Sequence, residues 1–283
     1  MIDLSVIIVS YNNKQVITDC LNSIVKYNDI GNRLQVIVVE QSPTTDIFDY
    51  ISNNYTWVNV IRHENNGFGA GNNAGIKIAK APFLLFLNPD TILIEPIFSF
   101  AINKFQNAPK LGMFGVQLLD RNMNKNSSFM MRNPYGLWNK AIYKICSAIG
   151  FFYSKRMYIQ GADMFIRRDV FEEIGQFDSN IFMYCEESDL SIRIIRAGYM
   201  IKYDPTKAII HLEGKSTKDD YDLVLEKQIL SFRYLCDKHN MSFKKIITNE
   251  YRFQRLKLLI CILFRRNQID AQNRIVKMIG KLV

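Results

Sequence analysis

Asp90 closes the run Phe83-Leu-Leu-Phe-Leu-Asn-Pro-Asp90, and a carboxylate there could hold a divalent cation that a diphosphate would also coordinate. Proline ends the hydrogen-bond ladder of so apolar a strand and lets the acid project beyond it. Asn88-Pro89-Asp90 also has the composition of a plain turn, and the triplet alone does not choose between the two. A second acidic group, Glu186-Glu187-Ser188-Asp189, follows the aromatic stretch Ile181-Phe-Met-Tyr184 and opens a helix-like segment. The helix dipole favours acids at such a start whatever their chemistry. Carboxylates crowded beside an apolar run also raise at least one pKa, which suits a general base acting on a hydroxyl. His211 follows the apolar residues 208–210 and precedes the polar loop Leu212-Glu-Gly-Lys-Ser-Thr217. One of three histidines, at a strand end, it is either a metal ligand or a hydrogen-bonded structural residue.

Glycines punctuate the segment Gly67-Phe-Gly69-Ala-Gly71-Asn-Asn-Ala-Gly75. Their spacing approaches the dinucleotide-binding fingerprint, and Asp90 lies about where a ribose-binding acid is expected. That fingerprint belongs to the first βα turn, which here reads Ser10-Tyr11-Asn12 and has no glycine. A nicotinamide-dependent oxidoreductase is therefore the minor alternative, and glycines that simply permit close helix packing are the plain one.

The elements that must position these residues follow from periodicity. Residues 4–9 and 35–40 are continuous apolar runs, and between them residues 13–26 carry apolar side chains at helical spacing, which makes a βαβ unit. Runs apolar on both faces imply a buried, mostly parallel sheet. The pattern continues with a strand over 58–62, a glycine-rich loop, a helix over 73–80 and a strand over 83–87. Ligands of such sheets sit beyond the carboxyl ends of the strands, which places Ser10-Tyr11-Asn12, Glu40-Gln41-Ser42, Glu64-Asn65-Asn66-Gly67 and Asn88-Pro89-Asp90 along one edge. Further on, the spacing predicts a helix over 98–106, strands over 113–118 and 158–167, helices over 169–174 and 187–197, and short strands over 199–203 and 208–212. The remainder reads as helical.

The net charge of +9 is unevenly spread. Residues 241–283 hold ten Lys or Arg against Glu250 and Asp270, and the rest of the chain is close to neutral. A basic tail on an ordinary domain argues against nucleic-acid binding by the whole chain. The tail alternates basic clusters with apolar patches, a composition suited to an interfacial helix on anionic lipid; packing on its own domain or on a partner in a homodimer is the alternative. Five dispersed cysteines without a CxxC pair, and an N-terminus without a basic signal-peptide region, lead to the expectation of a reduced, cytoplasmic protein at the inner face of the membrane. A noncatalytic membrane- or nucleic-acid-binding protein is the third class the sequence leaves open.

Taken in order, Val6-Ile-Ile-Val-Ser-Tyr-Asn12, Val38-Val39-Glu40, residues 65–75, Leu87-Asn-Pro-Asp90, Gln160-Gly-Ala-Asp163, Gly175-Gln-Phe-Asp178, Phe182-Met-Tyr184 with Glu186-Glu-Ser-Asp-Leu190, and His211 carry a resemblance. The chain resembles the inverting family 2 glycosyltransferases of the GT-A fold, and within them the rhamnosyltransferase-like branch. The resemblance implies a GT-A catalytic domain over residues 1–215, with a nucleotide-binding half (1–91) and an acceptor-binding half (92–215), and a helical, basic extension over 216–283. It implies that Ser10, Tyr11, Asn12, Glu40, Asn66 and Gly67 line a nucleotide pocket, with Glu40 on the base. Asn88-Pro89-Asp90 takes the place of the family's Asp-x-Asp, and Asp90 with His211 would hold Mg²⁺ or Mn²⁺. Glu187 falls at the general base, with Glu186 the alternative, while Asp163 and Asp189 would shape the donor and acceptor pockets. The implied donor is a dTDP- or UDP-sugar, dTDP-rhamnose by branch, and the acceptor a saccharide or lipid-linked saccharide of O-antigen or capsule assembly.

Overall fold

A computed structural model describes residues 1–212 and 221–283; most of the polar loop expected after His211 lies outside the described residues. In chain order the elements are β1 (Leu4–Ser10), α1 (Lys14–Tyr27), β2 (Leu34–Glu40), α2 (Asp46–Asn54), β3 (Val58–Arg62), α3 (Phe68–Ile76), β4 (Phe83–Leu87), β5 (Thr91–Leu93), α4 (Phe98–Gln106) and β6 (Leu111–Leu119). They continue with β7 (Phe129–Met131), α5 (Leu137–Ile149), β8 (Met157–Ile159), β9 (Asp163–Arg167), α6 (Arg168–Glu173), α7 (Glu186–Arg196), β10 (Met200–His211), α8 (Tyr221–Lys238), α9 (Phe243–Phe264) and α10 (Ile269–Gly280).

The chain forms two compact units. The first comprises Met1–Met130 and the stretch from Phe152 to the end of β10, and is built on an eight-stranded sheet in the order β3-β2-β1-β4-β9-β6-β10-β5. Pairs β3-β2, β2-β1, β1-β4 and β6-β10 are parallel. Strand β9 runs antiparallel to both β4 and β6, and β5 antiparallel to β10. Leu4, Val6, Ile7 and Ile8 of β1, and Val36, Ile37, Val38 and Val39 of β2, are all buried, because helices cover both faces of the parallel half. Register sets the functional edge: Ser10 pairs with Glu40, and Glu40 with Arg62, so the strand ends lie side by side.

Three sequence expectations are corrected. The glycine-rich segment is not a loop before a helix at 73–80; it is helix α3 itself. The helix tolerates so many glycines because it lies almost on the sheet: a Cβ on Gly75 would stand 2.6 Å from Ile7 Cγ2. The expected strand over 158–167 is two strands, β8 and β9, separated by Gln160-Gly-Ala162. Conversely the two short strands over 199–203 and 208–212 are one, β10, with an irregularity between Asp204 and Ala208 that a periodicity argument reads as a break.

The second unit combines Met131–Phe151 with Asp219–Val283. Ile229, Ile247 and Ile279 form its small apolar centre. Glu250, buried, accepts hydrogen bonds from the Gly136 amide at 2.6 Å and from Lys140 Nζ at 2.5 Å, which ties the start of α5 to α9. Among the described residues, no helix is long and apolar enough to cross a membrane.

Candidate active site

The site is assembled at the carboxyl edge of the sheet. Its first part lies beyond β1, β2 and β3. Glu40 is fully buried, and its Oε1 accepts the Ser42 amide at 2.8 Å together with a very short hydrogen bond from Ser42 Oγ. The same hydroxyl oxygen accepts the Asn12 amide at 2.8 Å, where the backbone of Asn12 is left-handed (φ 50°). Glu40 Oε2 and Ser10 Oγ are buried without a hydrogen-bond partner among the described residues. A fixed carboxylate with one unused oxygen is an acceptor waiting for an N–H donor, since leaving it unpaired is costly. A cleft of about 550 Å³ opens here, lined among others by Tyr11, Ser42, Arg62, His63 and Glu64. Arg62 closes its outer side by donating to the Ser42 carbonyl at 3.1 Å. Asn66 is exposed beside the cleft, its amide bonded to the Glu64 carbonyl at 2.9 Å.

The second part is the turn that leaves β4. The Asn88 amide donates to the Ala162 carbonyl at 3.0 Å, and the Asn88 carbonyl accepts from Thr91 Oγ1 at 2.8 Å. Antiparallel pairing of Thr91 with His211 then brings together two residues far apart in sequence. His211 Nε2 lies 3.3 Å from Asp90 Oδ1, and the Leu212 amide donates to the Asp90 carbonyl at 2.9 Å. Asp90 is buried, and His211 Nδ1 is buried without a hydrogen-bond partner among the described residues. Behind them, burial pushes the Cys20 thiol up to about 12, and its Sγ lies 3.8 Å from Thr91 Oγ1. A facing carboxylate and imidazole fit a divalent ion that accepts O and N donors, with Asp90 and His211 as the protein donors. No group of three or more His, Cys, Asp or Glu that could hold a metal ion occurs among the described residues.

The third part is the start of α7. Tyr184 and Cys185 are both left-handed (φ 68° and 73°), a costly arrangement for two side-chain-bearing residues that turns the chain abruptly into the helix. The loop before it packs on the first turn of α3. Gly67, at φ 95°, has room for no side chain, because a Cβ would stand 1.9 Å from the Phe182 carbonyl oxygen, which itself accepts the Phe68 amide. Asn73 clamps the same loop by exchanging two hydrogen bonds with the backbone of Phe177, at 2.8 and 3.1 Å. The glycines of α3 therefore serve packing against both the sheet and this loop.

The acids of α7 differ in environment. Glu186 is buried with Oε2 unpartnered, and desolvation, then the charge of Glu187, raise its pKa well above the usual carboxylate range. Glu187 is half-buried, and desolvation raises its pKa, opposed by helix-terminal and Gly161 amides. Its Oε1 accepts the Gly161 amide at 3.1 Å. Asp189, fully buried, pairs with Arg193 at 2.7 Å, and Arg193 donates in turn to the Ile174 carbonyl at 2.6 Å. Asp163 is fully buried in β9, where Oδ2 accepts the Val116 amide of β6 at 2.6 Å while Oδ1 has no partner among the described residues. Burial raises its pKa well above the ordinary value, and the amide only partly offsets this.

The structure thus gathers Ser10, Asn12 and Glu40 at one edge, joins Asp90 to His211, and sets Glu186 and Glu187 beside each other. The sequence places Ser42 on this edge and Gly161 in a motif, without the roles the structure gives them: Ser42 fixes Glu40, and the Gly161 amide fixes Glu187. The signal for Ser42 was its place two residues beyond an acid, where its hydroxyl and amide can turn back onto the carboxylate.

A sheet of this order flanked by helices, with its polar strand ends on one edge, has the GT-A glycosyltransferase fold of solved structures. The chain belongs to the family described as glycosyl transferase family 2, whose model matches residues 5–175. It is 25% identical over 257 residues to rhamnosyltransferase WbbL of Escherichia coli K12, covering 84% of this chain and 94% of that one. Over 84 residues, 29% of this chain and 27% of the relative, it is 30% identical to an N-acetylglucosaminyl-diphospho-decaprenol L-rhamnosyltransferase of Mycobacterium tuberculosis. The fold is shared with the mannosyltransferase PcManGT from Pyrobaculum calidifontis, solved in complex with GDP-Man and Mn²⁺, at a TM-score of 0.58 and 15% identity over 80% of this chain and 60% of that one. GalNAc-T7, solved with UDP, GalNAc and Mn²⁺, shares it at a TM-score of 0.60 and 15% identity, over 78% of this chain and 45% of the other.

Proposed function

We propose that this family 2 enzyme is inverting and metal-dependent, and transfers a sugar from a nucleoside-diphosphate donor to a saccharide or lipid-linked saccharide in bacterial surface polysaccharide assembly. The observation that carries this reading is the meeting of Asp90 and His211 at 3.3 Å across 121 positions of sequence, at the sheet edge where the cleft lined by Tyr11, Ser42 and Arg62 also opens. dTDP-rhamnose is the favoured donor, because the rhamnosyltransferase likeness spans nearly the whole of one relative; UDP-sugars are the alternative. A polyprenyl-diphosphate-linked acceptor is suggested by the name of the mycobacterial relative. The basic C-terminal segment is then the part that meets the inner membrane surface bearing such an acceptor.

In this mechanism Glu40 accepts the imide N–H of uracil or thymine through its unused oxygen, and Ser42 and Asn12 keep it pointed there. Ser10, Tyr11, Asn66 and Gly67 border the nucleotide. Asp90 and His211 would hold Mg²⁺ or Mn²⁺, which would supply positive charge to neutralise the leaving diphosphate. Glu187 removes the proton from the acceptor hydroxyl as that oxygen bonds to the anomeric carbon and the bond to the diphosphate oxygen breaks on the opposite face, which inverts configuration. Glu186, more deeply buried and more strongly raised, stays protonated beside it, so one charge is held where two would repel.

The test is release of nucleoside diphosphate from dTDP-rhamnose and a panel of UDP-hexoses, with Mn²⁺ and with a chelator. Turnover of at least one donor should require the metal, and Glu187→Gln should lower it by about 10²–10⁴ with donor binding retained. Chelator-insensitive turnover, or a fully active Glu187→Gln, would sink the corresponding assignment.

A further inference from the structure

Residues 131–151 interrupt the first unit and fold with the C-terminal helices, and the second unit they complete has an unusual surface. It carries sixteen Lys or Arg against seven Asp or Glu, whereas the first unit carries twenty of each. The whole net charge of the chain therefore resides on this unit. On α5, Trp138, Ile145 and Ile149 are 78%, 62% and 71% exposed. Their spacing, i, i+7 and i+11, aligns them as one stripe, and Leu137 beside them is also exposed. Cys146 is the buried residue of the helix, so α5 is amphipathic with an apolar side turned outward. The last turns of α9 repeat the arrangement: Leu256, Leu259 and Leu263 are exposed on one stripe, Cys261 and Gln254 are buried opposite, and Arg252, Arg255, Lys257 and Arg265 are exposed around them.

Large apolar side chains left in water on two helices of one small unit imply a partner. The surplus of positive charge decides which: it matches an anionic bilayer, toward which each nearby cation adds about 1 kcal/mol of attraction, and it would repel a second copy of the same face. We infer that α5 is a membrane-docking helix, inserting Trp138, Ile145 and Ile149 into the interface while α9 supplies the second apolar stripe and the basic flank. This rests on the membrane reading given above and moves its main apolar contact from the C-terminal segment to a helix in the middle of the chain. Tryptophan suits such a place because its ring is apolar and its N–H stays near water.

The chain has two tryptophans, and Trp57 belongs to the first unit, where it packs edge-on to Tyr55. A full-length Trp57→Phe protein therefore reports Trp138 alone. With vesicles of phosphatidylglycerol and phosphatidylcholine, its emission should shift to the blue and be quenched by brominated acyl chains. Substituting Trp138→Ser, Ile145→Ser and Ile149→Ser together should weaken vesicle partition at least about tenfold, as should vesicles of phosphatidylcholine alone. Co-sedimentation with unchanged Trp138 emission would overturn the role of α5 and leave the C-terminal contact standing. Absence of binding to any vesicle by a protein that still turns over a nucleotide sugar would overturn both membrane statements but not the glycosyltransferase. A dimer in light scattering that becomes monomeric in the triple variant would show that a second copy covers the stripe, and would also refute the inference.

Discussion

Gly161→Ala isolates the positioning of the proposed base from its chemistry. A Cβ at this position would stand 2.6 Å from Glu187 Oε1, and 3.4 Å from both Cγ and Cδ of the same residue. Restoring ordinary contact at about 3.4 Å requires the oxygen to retreat by about 0.8 Å. The atom that must yield is the free end of a flexible side chain and Gly161 is not left-handed, so the fold should survive. Displacements near 1 Å in a reacting group cost up to roughly 10²-fold, so kcat should fall about 10–100-fold with the KM for the donor little changed. The Gly161 amide also holds the Glu187 pKa down, against desolvation. As the carboxylate moves off that amide its pKa rises further, and because a base acts only when ionised, the acidic limb of the pH–kcat profile should move to higher pH. Single-turnover transfer over a pH series, with nucleotide affinity measured by calorimetry, checks both effects. A variant with kcat within twofold of the parent and an unmoved acidic limb refutes the placement of Glu187 against the acceptor.

Asp90→Ala and His211→Ala should each abolish the gain in nucleoside-diphosphate affinity that Mn²⁺ confers, read by titration with and without the ion; retention of that gain in either variant removes that residue from the metal site. Asp189→Ala should instead destabilise: leaving Arg193 without its fully buried partner costs about 3–5 kcal/mol, visible as a lower urea midpoint, while the folded fraction keeps its turnover. Asp163→Asn tests protonation in the core. A carboxyl whose folded pKa is raised binds more protons folded than unfolded, so its contribution is intact below the ordinary carboxylate range and is lost as pH rises toward the folded value. The variant's thermal stability relative to the parent should accordingly improve from pH 5 to pH 8, and a pH-independent difference would show Asp163 to be ionised.

How much of this was legible in the sequence depends on the range of the interaction. Strand β4 and helix α4 coincide with their apolar runs because burial on both faces or on one helical stripe writes itself into local composition. Helix α2 was not foreseen, since Asp46-Ile-Phe-Asp-Tyr-Ile is short and its polar start resembles a turn. Helix α3 was misplaced because its glycines are excused only by atoms of Ile7 and Phe182, remote in sequence. The acids were each recognisable by position after a strand or before a helix. Two of their partners were not: Gly161 and Val116 act through backbone amides remote in sequence, and such contacts leave no periodicity, whereas Arg193 stands four residues after Asp189 and Ser42 two after Glu40.

Those partners separate four buried or half-buried carboxyls that composition alone treats alike. Asp189 has a cation, so it can remain charged without solvent. Asp163 has one amide for two oxygens, which is too little to offset complete burial. Glu186 has its own helix terminus but faces the charge of Glu187. Glu187 alone combines a raised pKa, a directing amide from Gly161 and partial access to solvent, the three properties required of a group that must accept a proton from an incoming hydroxyl and later release it. Each environment is set by β9, the Gly161 turn and the left-handed entry to α7, so the proposed division of roles among the acids depends on the backbone around them as much as on the acids themselves.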